Sequence, residues 1–109
     1  MSQIIARRWE QMRTPETRAS EEILRRNFPE TDAYRYNSAS IRVRIVDPRF
    51  EGMSDEERDE MVEPFLQQLD ETTQADIMNL ITIAPSEIEG FSRKSLVNQE
   101  FEDPSPSRL

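Results

Sequence analysis

The spacing of apolar residues divides the chain into elements before any other property is considered. Ile5, Trp9 and Met12, with Ile4 beside them, recur at helical spacing and predict an amphipathic helix over residues 1–13. Thr14-Pro15-Glu16 then carries a capping hydroxyl, a proline at the first helical position and an acid in the first turn. The helix it opens should run to about Asn27, bury Ala19, Ile23 and Leu24, and stop at Phe28-Pro29. Residues 33–46 alternate in the manner of a β-hairpin, with Ile41, Val43 and Ile45 inward and Arg42 and Arg44 outward. A turn centred on Ser38-Ala39 sets Tyr36 opposite Ile41 and Tyr34 opposite Val43, which puts Arg35, Arg42 and Arg44 on one outer face. Ser54-Asp55-Glu56-Glu57 has the form of a capping box. The helix behind it should bury Met61, Val62, Phe65, Leu66 and Leu69, with a kink or break at Pro64. A short helix from about Thr72 to Met78 and a last strand, Leu80–Ala84, complete the pattern. After Gly90 the periodicity fades.

This order predicts an α+β domain over residues 14–90, helix-strand-strand-helix-helix-strand, with a three-stranded sheet and its helices on one face. Its expected core is Tyr34, Ile41, Val43, Ile45, Phe50, Val62, Phe65, Leu66, Ile81 and Ile83. Residues 91–109, with the acids Glu100, Glu102 and Asp103 clustered before Pro104 and Pro106, are expected to form an acidic, largely disordered tail. An isolated helix the length of residues 1–13 is marginal in water, so its apolar stripe should be covered. Its own domain, a foreign partner or a second copy could cover it, and a two-fold homodimer is the preferred expectation.

Composition narrows the chemistry. The 109 residues suit one domain. They include no Cys and no His, which excludes a disulfide, a thiolate nucleophile, a Ser-His-Asp triad, an imidazole base and a Cys/His zinc site. No stretch is apolar enough to span a membrane, and the N-terminal residues lack the unbroken apolar core of a secretory signal, so a cytoplasmic protein is expected. No phosphate-cradling, calcium-loop or nucleophile-elbow motif occurs. Asp55, Glu56, Glu57, Asp59, Glu60 and Glu63 crowd one helix, where capping and the helix dipole explain them better than catalysis or a metal site. No enzyme, no cofactor and no metal are expected.

Charge adds an asymmetry. The net charge is −8; ten Arg against seven acids give the first 49 residues +3, and three Arg with one Lys against fifteen acids give the rest −11. Pairing of the basic half with the acidic half inside one fold is the expected use of this split. The acidic total disfavours non-specific binding to nucleic acid.

The run Arg49-Phe50-Glu51-Gly52-Met53-Ser54-Asp55-Glu56-Glu57-Arg58, followed by Val62, resembles the signature of BolA-like proteins, in which a strand leads into Arg-Phe-x-Gly, a Ser, and an Arg that opens the amphipathic helix. The resemblance covers roughly Ala19 to Ile88 and implies a BolA-like fold, related to the class II KH arrangement. It implies scaffold roles for Phe50 and Gly52 in the loop, Ser54 at the cap and Arg58 at the helix start. The family's histidines are missing: Asp59 stands at one position and the Asn79–Ile83 stretch covers the other, so iron–sulfur ligation shared with a monothiol glutaredoxin is not expected. The Gly-x-x-Gly clamp of KH modules is also absent, since the only glycines are Gly52 and Gly90.

The expected function is therefore a non-enzymatic, BolA-like protein-binding or regulatory module. Its candidate contact residues are Trp9, Arg35, Arg42, Arg44, Arg49, Phe50, Gly52, Arg58 and Phe101. The alternative is a nucleic-acid-binding regulator that uses the Arg35/Arg42/Arg44 face.

Overall fold

Capping and strand alternation set the frame of the computed structural model, which describes residues 7–107. Thr14 caps helix α1, Pro15–Arg25, by accepting from Thr17 N–H at 3.3 Å. Strands β1, Glu30–Asn37, and β2, Ser40–Val46, form an antiparallel hairpin. Ser54 and Glu57 close the expected capping box of α2, Asp55–Leu66, with bonds of 3.1 and 2.9 Å. A short α3, Glu71–Asp76, passes directly into β3, Ile77–Ile83, which lies parallel to β2. A further helix, α4, covers Arg93–Glu102. The sheet order is β1-β2-β3. The described residues thus form a small α+β fold with a three-stranded mixed sheet and four helices. Among the described residues no helix is long and apolar enough to cross a membrane.

Helices lie on both faces of the sheet, not on one. On the first face, Ile41, Val43 and Ile45 pack with Leu24, Phe28, Phe50 and Val62. On the second, Tyr34 packs with Trp9 and Phe101. The segment expected to be a disordered tail supplies that second layer, because α4 inserts Phe101 against Tyr34 with ring centroids 4.7 Å apart. Beyond it, Tyr36 Oη donates to Ser105 O and Asn37 Nδ2 to Ser107 Oγ, which holds the chain along β1. The N-terminal segment also differs from expectation. Its described part is a 3-10 turn, Arg8–Met12, that buries Trp9 against this same fold, so Trp9 needs no second copy to cover it. Ile4 and Ile5 lie outside the described residues. The expected separation of arm, domain and tail gives way, over residues 7–107, to one packed unit.

The hairpin turn is centred on Ser38-Ala39 as expected, with Asn37 opposite Ser40, but the register slips one residue between Arg35 and Asn37. Asn37 Oδ1 holds the turn by accepting from Ala39 N–H and Ser40 Oγ. No described non-glycine residue has positive φ, so the turn is neither of the two types that match strand twist. The extra residue at Tyr36 follows at once. Arg35 then lies opposite Ile41, Ala33 opposite Val43 and Tyr34 opposite Arg42. A one-residue slip exchanges the faces of a strand. Tyr34 therefore joins Arg42 and Arg44, and Arg35 turns to the other face.

Smaller differences have equally local causes. Ala19 is exposed because α1 turns Thr17, Ser20, Glu21 and Leu24 inward. Pro64 does not split α2, which ends two residues later at Leu66. Of the expected core, Tyr34, Ile41, Val43, Ile45, Phe50, Val62 and Ile83 are fully buried, whereas Phe65, Leu66 and Ile81 are half-buried at the margins.

Candidate functional site

The arginines offered as a contact face are consumed inside the fold. Arg44 is buried beneath α4 and donates to Asp32 Oδ2 at 2.7 Å, Asn98 Oδ1 at 2.9 Å and Glu102 Oε1 at 2.6 Å, with its guanidinium 4.4 Å from the Phe101 ring centroid. Burial acts to raise the Glu102 carboxyl, but Arg44, the Trp9 indole N–H and Arg7 outweigh it and hold the group below its ordinary value. Arg42 donates to Tyr34 Oη at 3.0 Å and Glu100 Oε1 at 3.4 Å while lying over Tyr36. Arg35, on the opposite face, bridges Glu16 of α1 and Asp76 of α3 at 2.8 and 2.9 Å. The structure therefore does not bring Arg35, Arg42 and Arg44 to one exposed surface. Three of these pairs, Arg35–Asp76, Arg42–Glu100 and Arg44–Glu102, join the basic half of the chain to the acidic half.

The remaining candidates are also mostly structural. Trp9 and Phe101 are buried against each other, 5.3 Å apart, and Trp9 Nε1 donates to Glu102 Oε2 at 2.8 Å. Phe50 is fully buried beside Phe28. Gly52 is exposed and supplies the positive φ of +74° that turns the loop into α2. Arg58 is buried and donates to Met53 O, Thr82 O and both oxygens of Glu87, bolting the start of α2 to β3. That guanidinium holds the Glu87 carboxyl below its ordinary value. Arg49 is half-exposed, grips Asp47 through two bonds of 2.9 Å and donates to Asn27 O. Trp9, Arg44, Phe50, Arg58 and Phe101 thus hold the molecule together from within.

A surface that sequence reasoning did not single out lies along β3. Among the described residues this strand pairs only with β2, so its outer edge faces away from the sheet. The described large apolar side chains that remain exposed, Met78, Ile88, Phe91 and Leu96, all come from β3 or the chain after it. A cavity of about 320 Å³ lies beside Asn79, Ile81, Leu96, Val97 and Phe101. A second, of about 180 Å³, lies beside Asp55, Asp59, Leu80, Thr82, Lys94 and Val97. It brings Asp59 of α2 together with Leu80, Ile81 and Thr82 of β3. A third, also about 180 Å³, lies beside Glu63, Leu66, Gln74 and Ile77. The β3 edge thus runs between an acidic wall from α2 and a mostly apolar wall from α4, which also carries Arg93 and Glu100.

The acids of that wall are not equivalent. Lys94 Nζ at 2.6 Å and Arg93 Nη2 at 2.7 Å pair with Asp55 and hold its carboxyl down at about 2. Burial pushes the Asp59 carboxyl above its ordinary value, and Asp55 and Glu63 add to this against the pull of Lys94. Asp59 and Glu63 form no ion pair among the described residues. No three Asp or Glu side chains converge into a metal site among the described residues. The sequence signals for this surface were weak: Met78 sat at the margin of a short helix, and Leu96 lay beyond the last recognised periodicity. Comparison with protein-family models, with curated proteins and with solved structures yields no match.

Proposed function

We propose that this chain is a non-enzymatic protein-binding module on a BolA-like scaffold, and that its contact surface is the outer edge of β3 with the adjoining face of α4. The element order α1-β1-β2-α2-α3-β3 and the loop from Arg49 to Arg58 support the scaffold reading. One observation carries the functional reading: the exposed Met78 and Leu96 flank an unpaired strand edge. An exposed edge strand with apolar neighbours is a template for another chain. The nucleic-acid reading loses its main support, because Arg42 and Arg44 are engaged with Glu100, Glu102 and Asp32.

Affinity capture with the wild-type chain and a Met78→Asp/Leu96→Asp variant tests the proposal. The wild type should retain a protein partner that the variant loses, with Trp9 fluorescence unchanged between the two. Binding to a mixed DNA and RNA pool that falls steeply with salt and is indifferent to the two substitutions would overturn it.

A further inference from the structure

We propose that the β3 edge accepts an extended peptide segment of alternating apolar and basic residues, added as a fourth strand. This rests on the protein-binding reading and gives it a mode and a partner chemistry. The two edges of the sheet are treated differently. Along β1, α1 closes the edge: Glu21 Oε2 accepts from Ala33 N–H at 2.9 Å, and Arg25 Nε donates to Thr31 O at 2.8 Å. Along β3, Ile83 O accepts from Asp47 N–H at 3.0 Å on the β2 side. Successive residues alternate, so the peptide groups of Thr82 and Leu80 point outward. Arg58 Nη1 and Lys94 Nζ occupy the outward Thr82 carbonyl at 3.0 and 2.7 Å. They close that end and leave the stretch around Met78 and Leu80 open, with Met78 66% exposed.

An added strand would direct its side chains alternately to the two faces. On the α4 face they would meet Ile81, Leu96 and Val97. On the α2 face they would meet Asp59 and Glu63, four residues apart on one helix face and without ion pairs among the described residues. An apolar side chain fits the first wall and a cation the second. A cation beside Asp59 also offsets the desolvation and like-charge repulsion that raise its carboxyl. A second copy is a poorer occupant, because antiparallel β3–β3 pairing would set the two acidic walls on one face.

Fluorescence anisotropy with three labelled peptides tests this: alternating valine–arginine, the same composition in two blocks, and alternating valine–glutamate. The alternating valine–arginine peptide should bind about tenfold more tightly than the block peptide, and the glutamate peptide should not bind. Asp59→Asn/Glu63→Gln and Leu96→Ser should each weaken binding about tenfold, whereas Glu22→Gln/Glu60→Gln, two exposed acids off that stripe, should leave it unchanged. Trp9 fluorescence checks that each variant keeps its fold. Equal binding of the block peptide, equal loss with the off-stripe variant, or a β3-dependent dimer that excludes the peptide would overturn the proposal. If no peptide binds while protein capture still depends on Met78 and Leu96, strand addition is wrong and the broader reading stands. If both fail, both are wrong.

Discussion

Removing the Arg44 guanidinium would leave Asp32, Asn98 and Glu102 facing one another beneath α4 without their shared donor. Breaking a buried charge network by deleting one member is strongly destabilising, so Arg44→Ala should lower unfolding free energy by about 3 kcal/mol in chemical denaturation. Arg44→Lys should restore little, because one ammonium cannot span three acceptors in a planar fork. Little loss in Arg44→Ala would argue that the arginine is solvated after all. Acid titration offers a second test. Asp55, Glu87 and Glu102 all have carboxyls held below their ordinary values in the folded state. Each therefore contributes stability that is complete above its unfolded pKa and is lost as the pH falls through the folded one. Stability should decline below about pH 4 and continue to fall toward the Asp55 value of about 2. Asp59 has the opposite sign, since its carboxyl is raised, and Asp59→Asn should leave the melting temperature at neutral pH unchanged or slightly higher. A clear loss on that substitution would show Asp59 to be a structural anchor.

At the scale of elements, α4 and the 3-10 turn are the pieces on which the second sheet face depends. Phe101 touches both Trp9 and Tyr34, so Phe101→Ala should cost about 3 kcal/mol and shift Trp9 emission to the red. An unshifted spectrum would mean that α4 does not cover Trp9. Local chemistry made much of the first face legible in the sequence: the Thr14 and Ser54 caps, Phe28-Pro29, and the alternation of Ile41, Val43 and Ile45 each depend on near neighbours. The second face was not legible. The residues 93–102 that form α4 carry only scattered apolar residues, and the helix is held by Phe101 and by charge pairs with distant arginines. The hairpin register failed for a related reason. Turn position can be read from Asn37-Ser38-Ala39-Ser40, but the bulge at Tyr36 is favoured by burial of Tyr34 against elements 25 residues upstream and 67 downstream. The candidate site escaped notice because an open edge is a property of sheet order, and nothing within residues 77–83 states which strands flank them.

For the whole molecule, the charge asymmetry becomes a principle of assembly: the basic first half and the acidic second half are tied across the sheet by Arg35, Arg42 and Arg44. High salt should therefore weaken folding modestly, because several of these pairs are partly screened already. Iron–sulfur chemistry calls for thiolate or imidazole donors, which the composition lacks. Anaerobic reconstitution with a monothiol glutaredoxin should give only the spectrum of the glutaredoxin cluster alone, and a distinct stable spectrum would contradict this. The described sheet is covered on both faces and open along one edge. Residue-resolved amide hydrogen exchange tests it most directly. Exchange should be slow for β2, for α4 and for the Trp9 indole N–H, with the outward Leu80 amide exchanging faster than that of neighbouring Ile81. Fast exchange throughout residues 93–102 together with an unprotected Trp9 indole, or equal protection of Leu80 and Ile81, would contradict it.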